Sequence, residues 1–414
     1  MLVWVVCNEE PDGLPYSQML SFPTEIELAC LPEGVRVVAT PIKEIDLLHK
    51  KVHSWKNKLI CPNRNLLAGL EGDLFDDQFL MEKLTKLGDP LQKLSEYIDW
   101  RIFQGPLNEA YKDEDKDLSM GGRPPFGRLM MFKTLLIQSL YNLSDDQLEY
   151  QIVDRASFKR FLGLKKSDKV PDSKTFWVFR EYLIEKKVIE GLFTIFNETL
   201  DAAGVFANEG KMVDASFVEA PRQRNTREEN KHIKETGKAP ENWKEKPHKL
   251  CQKDIDARWT KKNNATYFGY KNHVKADVKT KLIETYKVTD ASVHDSQTTE
   301  ELLTGKDEGQ PFYADSAYIG EEQEKVYKKK KVINKVIEKG YRNKPLTDEQ
   351  NASNKEKSRT RVRVEHIFGF VENSMNSSIV RTIGFPRAKT KIGMMNLTYN
   401  ICRCVQLKLV VAMG

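Results

Sequence analysis

Apolar residues change their repeat once along this chain, and that change restricts the fold more than any other feature. Between about Leu74 and Asn197 they recur at helical spacing. Phe79, Leu80, Leu84 and Leu87 make one such run, and Leu129, Phe132, Leu136 and Leu140 another. After Gly204 and Gly210 the text becomes short apolar blocks bounded by glycine or turn residues, which is how strands read. Residues 211–218, 267–278, 282–289, 311–314 and 331–337 fit that description, the second and third joined by a Lys279-Thr-Lys hairpin. A polar connector over 347–356 then leads to a helix that begins near Ser358 and continues past Met375. Helices first, then strands, then one helix returning to the sheet predict an α/β chain: an all-α N-terminal domain followed by a mixed-sheet domain. The boundaries fall at 74–203 for the helical part and 204–408 for the mixed part. Residues 1–73 remain unassigned.

Local signals mark the helices. Gly88-Asp89-Pro90 breaks the first run, and Pro90 suits the first turn of the next helix. Ser144-Asp-Asp-Gln147 matches a capping box, in which the two side chains satisfy open backbone donors. The helix it starts carries Leu148 and Ile152, and a third carries Phe158, Phe161 and Leu162. Asp172 or Ser173 can cap a fourth running towards Asn197. Short helices with Lys159, Arg160, Lys165 and Lys166 fit a helix-turn-helix reader of DNA; a plain helical bundle fits them equally. Residues 112–117 read as a solvated linker, and 121–125 as a stop.

The formal charge of +6 is a weak pointer to nucleic acid, but its distribution says more. Residues 221–262 hold 13 basic and 7 acidic side chains, a net +6, with almost no apolar content, so 219–264 reads as a basic insertion between strands. Residues 325–363 hold 14 basic and 4 acidic, a net +10. No apolar run approaches the roughly 20 residues that cross a bilayer, and the apolar start lacks the basic region of a signal peptide. The six cysteines form no CxxC pair, which favours reduced thiols. His248-x-x-Cys251 is at most half a zinc site, without an evident second pair.

Three acids stand out by position. Asp214 follows Met212 and Val213 at a strand end, and Asp315 follows Phe312, Tyr313 and Ala314 at another. Glu365 borders the apolar face Val364, Ile367, Phe368, Val371 and Met375 of the last helix, one turn after Arg361. Convergent carboxylates repel unless cations lie between them, and oxygen-only ligands select hard ions such as Mg²⁺ or Mn²⁺. Two such ions about 3.5–4 Å apart serve phosphodiester chemistry. Any one of these acids, taken alone, also reads as a turn residue. Arg361 can hold Glu365, meet a phosphate, or form a plain surface pair. His273 and Asp295 can support the site or contact DNA, or be ordinary strand and turn residues. Trp243 and Trp259 can stack on unpaired bases or anchor the insertion.

The blocks around these acids resemble a known family. Met212-Val-Asp-Ala-Ser-Phe217, Tyr313-Ala-Asp-Ser-Ala-Tyr318 and Arg361-Val-Arg-Val-Glu-His-Ile-Phe-Gly369 are similar to the three blocks of bacterial insertion-sequence transposases with a DDE triad, of the IS-five type. Gly269-Tyr-Lys-Asn-His273, Val293-His-Asp-Ser296, Gly122-Arg-Pro-Pro125, Leu140-Tyr-Asn-Leu-Ser-Asp145 and Arg155-Ala-Ser-Phe-Lys-Arg-Phe-Leu-Gly163 extend the resemblance, in order, over residues 74–405. It implies a ribonuclease-H-like catalytic domain behind a DNA-binding one. Metal binding and catalysis pass onto Asp214, Asp315 and Glu365 with two Mg²⁺ or Mn²⁺ ions. Supporting or DNA-contact roles pass onto Arg361, His273, Asp295, Lys271 and Tyr318. The implied partners are terminal inverted repeats, target DNA and a second copy of the chain on synapsis, in the cytoplasm with the nucleoid. Ser316 departs from the basic residue many relatives carry after the second Asp. A nuclease without strand transfer, or a catalytically silent DNA-binding descendant, are the alternatives.

The resemblance is silent before residue 74, where neither helical nor strand period persists. Deleting residues 1–70 is therefore expected to leave folding and DNA cleavage nearly unchanged. Thermal melts and cleavage assays on the two lengths check this; aggregation of the shorter chain, or a melt many degrees lower, contradicts it.

Overall fold

The computed structural model describes residues 76–111, 125–262, 264–341 and 345–409, together with the backbone of five short strands before residue 42. The chain divides into two compact units, Met1–Leu74 and Phe75–Gly414. In the first, β1 (Leu2–Val3), β4 (Thr24–Leu31) and β5 (Gly34–Pro41) form one antiparallel sheet, and β2 (Val6–Cys7) pairs with β3 (Met19–Leu20). The β4–β5 hairpin corrects the expectation of a stretch without strand character. The proposed linker 112–117, and residues 121–124 of the stop, lie outside the described residues.

The second unit opens with helices. They are α1 (Asp76–Lys86), α2 (Pro90–Tyr97), α3 (Gln104–Ala110), α4 (Arg128–Tyr141), α5 (Asp145–Asp154), α6 (Ala156–Leu162), α7 (Ser173–Glu185) and α8 (Val188–Ala202). Their ends follow from local chemistry. Asp89 accepts from the Leu91 N–H with Pro90 in the first turn, Ser144 and Gln147 close the capping box, and Asp172 accepts from the Thr175 N–H. The single helix expected from Asp172 to Asn197 is two, because Lys187 takes a left-handed conformation at φ 52° and turns the chain between α7 and α8. The α1 stripe does not become core: Phe79, Leu80 and Leu87 stay exposed.

Two helices lie in the insertion, α9 (Arg227–Thr236) and α10 (Pro247–Gln252). The insertion ends sooner than expected, since β7 (Arg258–Lys262) pairs with the sheet. Polar β7 has no apolar alternation to reveal it. Trp243 is fully buried and donates its indole N–H to Glu229 at 2.7 Å, so it anchors the insertion. Trp259 remains partly exposed.

The sheet adds β6 (Lys211–Glu219), β8 (Ala265–Asp277), β9 (Ile283–Asp290), β10 (Pro311–Tyr313) and β11 (Ile333–Asn334), the last much shorter than the 331–337 block. The path runs β11-β10-β6-β8-β7, with β9 also paired to β8. β6 and β9 each pair antiparallel with β8; β10 and β11 continue from β6 in parallel, so the sheet is mixed.

Beyond the short α11 (Thr299–Leu302) and α12 (Glu321–Lys330), the chain forms α13 (Asp348–Arg361), α14 (Glu365–Gly369) and α15 (Phe385–Gln406). The helix expected from Ser358 begins ten residues earlier, at a capping box of Thr347 and Gln350. No α13 residue is buried, so no apolar stripe marks it. Between α13 and α14 lies a turn of tighter helix, Val362–Val364, and after α14 a wider π turn, Phe370–Ser374. Val364, Ile367, Val371 and Met375 are buried as the spacing predicts.

Helix α15, unpredicted, is buried along most of its length and packs against α2, α4, α7, α8 and β9. The core is continuous from the helical part through α15 to one face of the sheet. Asn396 exchanges hydrogen bonds with Asn272 of β8 at 2.8 and 3.0 Å. Asn400 accepts from the Ile283 N–H at 2.9 Å and donates to the Ile283 carbonyl at 2.8 Å and to Asn197 Oδ1 at 3.0 Å. Ile283 starts β9 just before the irregularity where the strand shifts register against β8, so its backbone groups need these partners.

Replacing Asn400 by Ala leaves a buried N–H and the Asn197 amide short of partners. The expected loss is about 2–4 kcal/mol in folding free energy, read by chemical denaturation. A loss below about 0.5 kcal/mol would show that water or a local shift replaces the bonds.

Candidate active site

β6 carries a carboxylate where the sheet divides. Its pairing with β10 ends at Met212 opposite Tyr313, while its pairing with β8 continues to Glu219. Asp214 lies two residues past the last β10 pair and Asp315 two residues past the same pair on β10, so the two acids emerge side by side beyond the parallel strands. Such a crevice is where open α/β sheets place their ligands. Asp214 is thus not at the end of β6, as the sequence suggested, but in its middle, at the end of only one pairing.

Asp214 is 13% exposed and accepts from its neighbour's N–H, that of Ala215, at 2.8 Å. Burial pushes its pKa up to about 6, against the pull of the Ala215 N–H and Arg361, while nearby Asp315 pushes it up further. Asp315 caps the turn Ser316–Tyr318, accepting from the Ala317 N–H at 2.8 Å. Glu365, at the start of α14, is 56% exposed. Arg361, one helical turn earlier and 18% exposed, joins it to the others: it donates to Asp214 at 2.9 Å and to Glu365 at 2.8 Å. His366 is exposed and points elsewhere on the helix.

The remaining candidates stand around this set. Tyr318 is fully buried, its hydroxyl has no hydrogen-bond partner, and burial together with Asp214, Asp295 and Asp315 raises its pKa. Lys271 donates to Asp295 at 2.8 Å and to the Val293 carbonyl at 2.7 Å, deep in the fold. His273 is fully buried opposite Ala215 and meets Thr289 Oγ1 at 2.9 Å. Two cations were missed. Lys275 continues the alternation Lys271, His273, Lys275 on one face of β8 and pairs with Asp307 at 2.6 Å. Lys262, at the end of β7, lies 3.9 Å from Asp295 and helps hold the Asp214 pKa down. The period-2 run of basic residues was the available signal for the first; position in a polar stretch hid the second.

The donor set suits hard divalent ions, being carboxylate oxygen only. A carboxylate whose proton affinity is raised by burial and by a neighbouring acid also favours an added cation. In this arrangement Arg361 supplies the positive charge between Asp214 and Glu365, and among the described residues no three His, Cys, Asp or Glu side chains stand close enough together to hold an ion unaided. Arg361 thus occupies carboxylate oxygens of Asp214 and Glu365 that an ion would otherwise meet.

Residues 78–182 match the family described as transposase domain (DUF772), and residues 208–401 match the transposase DDE domain. Among solved structures, the chain is similar to one titled cryo-EM structure of piggyBac transposase synaptic complex with hairpin DNA. Identity is 12%, with 78% of this chain and 77% of that chain covered, at a TM-score of 0.41. A likeness of that size carries no argument. No helix among the described residues is long and apolar enough to cross a membrane.

Burial lowers the His273 pKa from 6.5 to about 4. The unfolded chain then takes up a proton below about pH 6.5 that the folded chain refuses until about pH 4. Stability should therefore fall as pH drops through that window, by on the order of 3 kcal/mol from this group. Denaturation from pH 7.5 to 4 should show a steeper loss in the natural chain than in His273→Gln; parallel curves would mean that His273 is not held neutral.

Proposed function

Two successive transposase domains make this chain a DDE transposase, and from that premise we propose that Asp214, Asp315 and Glu365 form the acid triad of its DNA-cleaving and strand-joining site. The observation that supports this most is the emergence of Asp214 and Asp315 side by side where β6 parts from β10, with Arg361 connecting Glu365 to Asp214. The strand order, three antiparallel strands extended by two parallel ones, supports a ribonuclease-H-like core. The sequence blocks support the IS-five type.

Two Mg²⁺ or Mn²⁺ ions held by the three acids would supply activation of an attacking oxygen and stabilisation of a leaving one. The chain's own residues do the rest. Lys271 fixes Asp295 beside Tyr318, and His273 stays neutral beneath β6, so the floor of the site is rigid. Arg361, once freed from a carboxylate, offers a planar guanidinium to a DNA phosphate. The basic stretch over 325–363 flanks the same place and suits the phosphate backbone. The partners in this reading are the element's terminal inverted repeats, read by the helical part, and target DNA. Two ends must be held together for joining, so two or more copies of the chain act at once.

Asp214→Ala, Asp315→Ala and Glu365→Ala should each abolish cleavage of terminal-repeat DNA in Mg²⁺ while leaving its binding largely intact. Gel assays of cleavage and binding on the full chain check this. Full cleavage by any one of the three removes that residue from the triad.

A further inference from the structure

Away from the acid site, α4, α7 and α15 enclose a pocket of about 270 Å³. Its wall is cationic, with Arg180, Arg381, Arg387 and Lys391. Two of these charges are already met. Arg180 holds Asp145 through two contacts of 2.7 Å, and Gln138 donates to the same acid at 2.6 Å. Arg387 grips Glu181 at 2.7–3.0 Å. Lys391 and Arg381 make no hydrogen bond or ion pair among the described residues. Burial lowers the Lys391 pKa to about 8, and Arg180 and Arg381 press it the same way while Asp145 opposes them.

Two hydroxyls on the same wall also lack partners. Ser139 is fully buried on α4, yet its Oγ makes no hydrogen bond, and neither does the buried Oγ1 of Thr382. A buried hydroxyl without a partner is destabilising, and an unpaired ammonium in a partly closed pocket more so. Two surplus cations on one small cavity, with two idle hydroxyls buried in its wall, complement an oxyanion. A neutral ligand would leave the charge unanswered. The one acid on the wall, Asp145, is neutralised by Arg180, so it does not repel an anion.

We propose that this pocket binds one backbone phosphate of the DNA on which the protein acts, with Lys391 and Arg381 as its donors. The proposal rests on the transposase reading for the presence of DNA. It adds a contact that joins the helical part and α15 to the same duplex, outside the acid site.

The test is DNA binding by the full chain, and by Lys391→Met and Arg381→Gln, over a range of salt. Each neutralised phosphate contributes about 0.9 to the slope of log affinity against log salt. Each variant should bind any sequence more weakly and lower the slope by about one, with cleavage of the DNA that it does bind retained. Lys391→Met should melt at the natural temperature or above it, because it removes an uncompensated charge; a purely structural lysine would lower the melt and leave the slope alone. Inorganic phosphate should raise the melting temperature of the natural chain but not of Lys391→Met. An unchanged slope in both variants overturns the proposal, even where phosphate still protects the natural chain, since the pocket would then serve a free anion. If the natural chain binds no DNA at all, it is the transposase reading that fails.

Discussion

The amide pair on α15 is the interaction on which the rest of the unit depends. A long helix buried on nearly every side needs a fixed rotation, and apolar packing alone sets that rotation poorly. Asn396 and Asn400, one turn apart, set it by reaching β8 and the irregular start of β9. Asn197 brings α8 into the same network. One face of the sheet and the helical part are thereby held to a single core, residues 75–414 forming one compact unit. The helical and acid-bearing parts are consequently joined by packed core rather than by a linker.

On the opposite face the sheet is held by charge. Lys271, His273 and Lys275 alternate along β8, and each finds a partner: Asp295, Thr289 and Asp307. Buried ion pairs add little net stability, but each directs a loop. Asp295 and Asp307 belong to turns on the way from β9 to β10, and β10 delivers Asp315. The buried bases thus place the second acid of the site from beneath.

Much of this was legible where chemistry leaves a one-sided pattern. The capping box at Ser144, the strand blocks around Asp214 and Asp315, and the apolar face beside Glu365 all have one buried side and one exposed side. What escaped reading lacks that asymmetry. Helix α13 is polar all round and α15 is apolar nearly all round, so neither shows a stripe. Strand β7 is a polar strand at the sheet's edge. The positions of Asp214, Asp315 and Glu365 could be read without α15, because they depend on the strand blocks and on one amphipathic turn, although Asp214 falls within β6 rather than at its end. The role of Arg361 was only half visible: its spacing from Glu365 is local, but its bond to Asp214 spans 147 residues.

That long-range bond also bears on how the site responds to charge. Two carboxylates, Asp214 and Glu365, share one guanidinium here, with Lys262 the further cation acting on Asp214. Asp214 is left only partly neutralised: burial above all, with Asp315 beside it, raises its pKa to about 6 against the pull of the Ala215 N–H, Arg361 and Lys262. A site meant only for stability would be expected to pair each buried acid, as β8 does on the other face with Asp295 and Asp307. Here the deficit stands at the mouth of the crevice, where cations and phosphates can enter. Arg361 is suited to trade partners in that setting. Its guanidinium keeps its charge at any accessible pH and binds carboxylate and phosphate with the same fork. Were cations to take over the carboxylates, the same arginine would become available to a phosphate without any change in the helix that carries it.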